Sequence, residues 1–249
     1  MKLSCLMGSA VAVLALAACG TPEPAPTDAG VDTSCGIDCE AQAVFGLLPQ
    51  RCFEYTDTQQ MQDTPALGVL VQPAEDLETV KVIPVRYYQG GIIKMTDFFM
   101  FAGKELRLAR RSFVGAQSVT YRDADGAILG ATWFPPGTAV GQNFTSNVEA
   151  VVSTGSSTNT ESTTFTVVTS PPSASERTVP HGEYADAIKL IFNEQPAHGM
   201  DARRIIQPDL GVTLFSSSFN LSGTGATEYR LQTVRDIGEG DHSCGLTPP

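Results

Sequence analysis

From Arg51 onward the chain is written in period two. Ile93, Met95, Phe99 and Phe101 share one parity, as do Ile188, Leu190 and Phe192, and Tyr229 with Leu231. Successive side chains of a strand point to opposite faces, so this period describes sheets with one dry face and one wet face, not helices. Clusters of Gly, Pro, Asp and Ser break the pattern at short intervals. The spacing predicts strands over 51–57, 67–72, 79–89, 92–101, 105–114, 117–122, 127–134, 144–153, 163–169, 186–194, 202–207, 211–219 and 227–236. Gly90-Gly91, Ala102-Gly103 and Asp125-Gly126 fall between runs, where hairpin turns need positive φ. The polar tract 153–164 reads as the tip of a long hairpin, and 171–175 as a second loop. The expectation is a mainly β antiparallel domain over 51–236, a sandwich or a barrel, with no internal repeat.

The residues before this domain differ in kind. Residues 35–50 hold two cysteines and a short predicted helix, Cys39 to Leu48, capped by Asp38 and ended by Pro49. Val44, Leu47 and Leu48 lie on one side of it. Residues 19–34 are rich in Pro, Ala, Thr, Gly and Asp, and read as a tether with too little apolar surface to fold. Residues 237–249 form a C-terminal tail.

Residues 1–18 have the parts of a signal peptide: Lys2, an uncharged apolar run from Leu6 to Ala18, and small residues before a cut. The run is shorter than the roughly 20 residues of a membrane span. The tetrapeptide Leu16-Ala17-Ala18-Cys19 resembles the lipobox of bacterial lipoproteins. That resemblance implies cleavage before Cys19, a thioether-linked diacylglycerol and an N-acyl chain on Cys19, and no other cofactor. Two or more acyl chains anchor a protein stably where one does not. Gly20 stands where the family's inner-membrane retention signal has Asp. The resemblance therefore implies the outer membrane of a Gram-negative bacterium, on its periplasmic or surface face.

Removing residues 1–18 takes one Lys and no acidic residue, so the net charge moves from −11 to −12. That balance argues against a nucleic-acid partner, which would need a basic footprint. It also argues against electrostatic attraction to an anionic bilayer. Besides Cys19 the remaining chain holds Cys35, Cys39, Cys52 and Cys244. An even number in an exported chain reads as two disulfides, with three connectivities open. The spacing is poor for zinc. Any complete pairing ties Cys244 to the N-terminal cysteines. The favoured set is Cys39 with Cys52 and Cys35 with Cys244.

Val179-Pro180-His181-Gly182-Glu183-Tyr184, the strand after it, and Gln207-Pro208-Asp209-Leu210-Gly211-Val212 resemble a pattern in periplasmic domains of the lipoprotein-carrier type. The resemblance covers residues 179–236 and implies an open half-barrel. The fold expectation is therefore an antiparallel sandwich or open half-barrel with one short N-terminal helix.

Candidate chemistry is sparse. Asp123-Ala124-Asp125-Gly126 lacks the remaining ligands of a calcium loop and reads as a turn. His181, His198 and His242 have no zinc-hydrolase spacing, and no Gly-x-Ser-x-Gly elbow occurs. The carboxylate pairs Glu183/Asp186 and Asp236/Glu239 read as solvated loop charge. Lys104, Arg107, Arg110 and Arg111 form a basic cluster, with Arg107 and Arg111 expected on one strand face and Arg110 on the other. Arg107, Arg110 and Arg111 are candidate anion ligands. No catalytic or metal-ligating residue is assigned. The expectation is a non-enzymatic lipoprotein whose partner is the membrane plus an envelope component or protein. Two alternatives stand beside it: a carrier or sensor of an apolar ligand, and an envelope enzyme.

Overall fold

Twelve strands of the main sheet pair in chain order, each with the one before and the one after it among the twelve, and the last returns to the first. The computed structural model describes residues 39–57, 65–135, 140–198, 203–217, 227–238, 241 and 243–246. The elements in order are α1 (Cys39–Val44), β1 (Arg51–Asp57), β2 (Leu67–Val71), β3 (Glu75–Leu77), β4 (Val80–Gln89), β5 (Ile92–Ala102), β6 (Glu105–Phe113), β7 (Gln117–Arg122), β8 (Ala131–Phe134), β9 (Asn143–Thr154), β10 (Ser157–Ser170), α2 (Ala174–Arg177), β11 (Thr178–Val179), β12 (Gly182–Glu183), β13 (Ile188–Gln195), β14 (Arg203–Gln207), β15 (Gly211–Ser217) and β16 (Thr227–Asp236).

Strands β1, β2, β4, β5, β6, β7, β9, β10, β13, β14, β15 and β16 form the wall in that order, every neighbour antiparallel. The β1–β16 pair closes it, from Arg51 opposite Asp236 to Asp57 opposite Tyr229. The result is a twelve-stranded up-and-down barrel. This corrects the expected sandwich or open half-barrel. Residues 179–236 do not leave the barrel open; their strands β13–β16 complete the wall. Closure removes the unpaired strand edges that a sandwich or half-barrel keeps.

The period-two pattern reports the inside of this barrel. Phe53 and Tyr55, Val69 and Val71, Val85 and Tyr87, Phe165 and Val167, and Tyr229 and Leu231 all belong to one buried core. The outer face is polar on β9 and β10, whereas Cys52, Leu70 and Tyr88, and Val82, Ala109 and Ile128, form two smaller apolar clusters apart from the interior core. On β9 and β10 the cross-strand pairs Thr145–Thr166, Asn147–Thr164 and Glu149–Ser162 are hydrogen-bonded through their side chains at 3.4, 3.0 and 2.6 Å. The tract 153–164 is therefore mostly strand, with its turn confined to Gly155 and Ser156.

Helix α1 is shorter than the expected 39–48. Gly46 ends it at φ +67°, where a Cβ would stand 2.1 Å from the Leu210 carbonyl oxygen. Phe45 and Leu47 then turn into the core. The Phe45 ring meets Phe134 edge-on at 4.8 Å and Phe101 at 6.0 Å, so this segment plugs one mouth of the barrel. The short elements β3, β11, β12 and α2 carry no readable period. Helix α2 lies in the expected 171–175 loop. Its Glu176 accepts from the Ser173 backbone N–H at 2.8 Å and pairs with Lys189 and Arg203, each at 2.8 Å.

Cys244 is bonded to Cys52, with Cα atoms 5.7 Å apart and a sequence separation of 192. The bond ties the tail to the chain's N-terminal half, as expected, but its partner overturns the favoured Cys39–Cys52 and Cys35–Cys244 set. Cys52 faces outward from β1, where the returning tail lies across it. Ile237 is buried with Leu70, Tyr88 and the disulfide, so the tail also docks by burial. Its approach is close: a Cβ on Gly68 would stand 2.5 Å from the Gly245 Cα. Cys35 and Asp38 lie outside the described residues, as does Cys19 with the whole signal and tether.

Candidate functional site

A set of charged and ring-polar side chains stands at inward positions of the barrel among apolar neighbours. Asp97 follows Met95 and precedes Phe99 in the inward parity of β5; its accessible surface is 0% of maximum. Arg111 on β6 grips it with two donors, Nε to Oδ1 at 2.6 Å and Nη2 to Oδ2 at 2.8 Å. Tyr87 on β4 donates its hydroxyl to Oδ2 at 3.2 Å. Arg204 on β14 forms an ion pair with Oδ2 at 3.5 Å. Such bidentate pairs are strong, and inside a barrel they also meet the need to partner a buried charge.

Arg204 is held by rings as well. Its guanidinium carbon lies 5.1 Å from the centroid of Trp133, 5.5 Å from Phe215 and 5.8 Å from Tyr87, within the range of cation–π attraction. Trp133 reaches this place because β7 leaves β6 after Arg110 and β8 takes its place beside Leu106–Leu108. A cavity of about 40 Å³ lies here, lined by Arg204, Trp133, Tyr55, Tyr87, Phe99 and Phe215 among others. Tyr55 spends its hydroxyl proton on the Val212 carbonyl at 2.7 Å. Burial pushes the Tyr55 phenol well above its usual range, with Arg204 opposing. The Trp133 indole N–H has no hydrogen-bond partner among the described residues, although the residue is only 3% exposed. A buried donor left in that state costs about 1–3 kcal/mol.

A second polar pair stands further along the interior. Tyr121 donates to Glu194 Oε1 at 2.7 Å, and the His198 backbone N–H donates to Oε2 at 2.8 Å. Burial first, and the Glu194 charge second, hold the Tyr121 phenol far above its ordinary value. Outside the wall, a groove of about 380 Å³ runs between the 123–129 loop and the β9–β10 face, past Glu149, Asn147 and Ser162. The loop is a turn in which Asp123 Oδ1 accepts from the backbone N–H groups of Asp125 and Ala127 at 3.0 and 2.9 Å.

The expected basic cluster is not brought together. The β5–β6 register shifts between Phe98 and Phe99, which face Arg110 and Leu108, so Ala109 is an extra residue on β6. Such a bulge reverses parity. Arg107 and Arg110 therefore share the outer face and Arg111 points inward, which corrects the expected pairing of Arg107 with Arg111. Arg107 bonds Glu105 at 2.8 Å and the Leu129 carbonyl at 3.1 Å. Arg110 donates to Ser118 at 3.2 Å and lies over Phe98. Lys104 sits in the exposed β5–β6 turn.

Of the other candidates, His181 hydrogen-bonds the Tyr184 hydroxyl at the surface, and His198 Nε2 meets Thr163 at 3.2 Å. Glu183 and Asp186 are exposed, and Asp236 pairs with Arg51 at 3.3 Å. Glu239 and His242 lie outside the described residues. Asp97, Glu194, Arg204, Tyr121 and Trp133 were not singled out from sequence. For Asp97 and Glu194 a signal existed: each continues the apolar parity of its strand, Met95-x-Asp97-x-Phe99 and Leu190-x-Phe192-x-Glu194, so each is a charge at an inward position.

These features define a closed antiparallel barrel with a filled, ionically braced interior. No protein-family model, curated protein or solved structure matches the chain.

Proposed function

We propose that this chain is an exported lipoprotein, held at the outer membrane through lipid on Cys19, whose barrel serves as a non-enzymatic binding or structural module in the cell envelope. The observation that carries this reading is the polarity of the wall. A barrel that crosses a membrane turns its apolar side chains outward and its polar ones inward. This barrel has Phe, Tyr, Leu and Val inside, and Thr, Asn, Glu and Ser on the outer face of β9 and β10. Such a wall suits water, which leaves a lipid anchor as the natural means of membrane attachment.

A carrier of an apolar ligand needs a pocket of roughly 300–1,000 Å³. The interior cavity of about 40 Å³ is far below that. Recognition of an envelope component or protein then falls to the outer surface, where the β9–β10 face carries a groove of about 380 Å³. The test is fractionation of cells that express Cys19→Ser. The variant is expected in the soluble fraction while the unaltered chain stays with membranes; a variant that sediments with membranes like the unaltered chain overturns the reading.

A further inference from the structure

We propose that β9 takes up an extended, basic segment of a partner protein as an added strand along residues 143–148. The wall closes at β1–β16, yet this stretch inside it lacks a neighbour on one side. β9 pairs with β10 over its whole length, from Asn143 opposite Val168 to Thr154 opposite Ser157. Its other side pairs with β7 only from Glu149 to Thr154, because β7 ends at Arg122. β8 follows β7 along β6 and, among the described residues, pairs with β6 alone. The stretch 143–148 of β9 therefore has a main-chain edge with no paired strand. Its length is that of an ordinary strand, about five or six residues. An edge of this kind is a template for another extended chain, joined by main-chain hydrogen bonds.

Two features show room at this edge. The groove of about 380 Å³ runs past Asn147, Val148 and Glu149, and its size is that of a ligand site. Phe144 has the inward parity of Val148 and Ala150 and stands opposite the buried Val167, yet it is only half-buried. The sign of the partner follows from charge. Asp123 and Glu149 line the groove, and no basic side chain does. Arg122, opposite Glu149, is engaged by Glu78 at 2.9 Å and the Gly126 carbonyl at 2.7 Å. Ser162 donates to one Glu149 oxygen, and the Asp125 and Ala127 N–H groups donate to one Asp123 oxygen. The second oxygen of each carboxylate has no partner among the described residues. A second copy of the chain would bring the same carboxylates edge to edge. The chain's own residues 19–34 hold Pro22, Pro24 and Pro26, three acidic residues, Glu23, Asp28 and Asp32, and no base. Proline cannot donate to a ladder, so that segment fits neither the edge nor its charge. The strand that fits alternates, with Lys or Arg outward beside Glu149 and an apolar side chain inward beside Phe144.

The proposal rests on the reading of the barrel as a binding module, and it names the partner's chemistry. The probe is a dye-labelled peptide, Lys-Thr-Lys-Val-Lys-Thr-Lys-Val, titrated with the purified full-length chain. Saturable binding that weakens with salt is expected, with amide hydrogen exchange slowed over 143–148. The same peptide methylated on alternate backbone nitrogens loses the donors of one edge and should not bind. Glu149→Gln combined with Asp123→Asn, checked for an unchanged urea midpoint, should weaken binding roughly three- to tenfold, the effect of losing two partly screened ion pairs. Absence of binding, or slowed exchange elsewhere than 143–148, overturns the proposal. So does equal binding of the methylated peptide, of a peptide with Glu in place of Lys, or by the double variant. A dimer of the chain that protects the same amides without peptide gives the edge to a second copy and overturns it as well. These measurements use purified protein, whereas fractionation of Cys19→Ser tests the anchor, so the two failures are distinguishable.

Discussion

Of the pairs in which a carboxylate meets a guanidinium, one inside the barrel and one beneath the tail have opposite physics. Inside the barrel, Asp97 and Arg111 meet with side-chain exposures of 0% and 1%. Beneath the tail, Glu54 and Arg235 meet at 3.1 Å with exposures of 10% and 38%. Glu54 also accepts from Thr233 at 2.6 Å and from the Gly245 backbone at 3.2 Å, and Arg235 donates to the Ser243 carbonyl at 3.0 Å. The first pair can rely on no water, so each member depends on the other. The second is bathed on one side, and the tail has a covalent bond to β1 as well. Charge braces the interior; the disulfide and Ile237 hold the tail.

Removing one member of each arrangement should separate the two. Asp97→Ala leaves Arg111 and Arg204 buried without their shared carboxylate, and should cost about 3–5 kcal/mol by urea unfolding. A loss below 1 kcal/mol would mean that water enters the barrel. Cys244→Ser opens a loop that spans nearly the whole barrel. The chain-entropy model gives about 5 kcal/mol for such a loop, and measured bonds more often give about 2–4. The same urea titration under non-reducing conditions measures it, and the slope against urea should change along with the midpoint if the tail also constrains the denatured chain.

Alkali should distinguish interior from exterior more gradually. The folded-state pKa of Tyr121 lies above its unfolded value of 10.0, and that of Tyr55 does likewise. The folded protein therefore holds these protons more tightly. Their contribution to stability is complete below pH 10 and falls as pH climbs through and beyond that value toward the folded-state pKa. Phenolate absorbance should show both tyrosines titrating only as the barrel unfolds, and ionisation of every tyrosine in the folded state would contradict the packed interior. Smallest of all, Arg235→Ala should cost about 1 kcal/mol or less, since solvent screens the pair and the disulfide keeps the tail in place. A larger loss, seen in the same unfolding experiment, would make the tail's polar contacts equal partners of its covalent bond.

Local chemistry was enough to mark most of the wall. The spans 51–57, 117–122 and 227–236 were legible to the residue, because side-chain alternation and turn residues act over a few positions. The same alternation told which side chains turn inward along most of each strand, though not at Ile93, which is exposed because the β4–β5 register shifts between Tyr87 and Tyr88, and it would have flagged Asp97 and Glu194 had charges been read with the parity of their strands. Closure was not legible. A sandwich, a half-barrel and a closed barrel use the same alternation, and they differ only in whether β1 finds β16 across the length of the domain. Nor was the direction of Arg111, because one bulge residue, Ala109, reverses the parity of all that follows it on β6. Arg204 and Trp133, which meet in the interior, come from β14 and β8, and no spacing in the chain relates them. Cys52 found Cys244 for the same reason: the path of the tail across β1 and β2 is set by burial of Ile237 and the Gly68–Gly245 contact. These are interactions between distant residues, and they exist only once the barrel has closed.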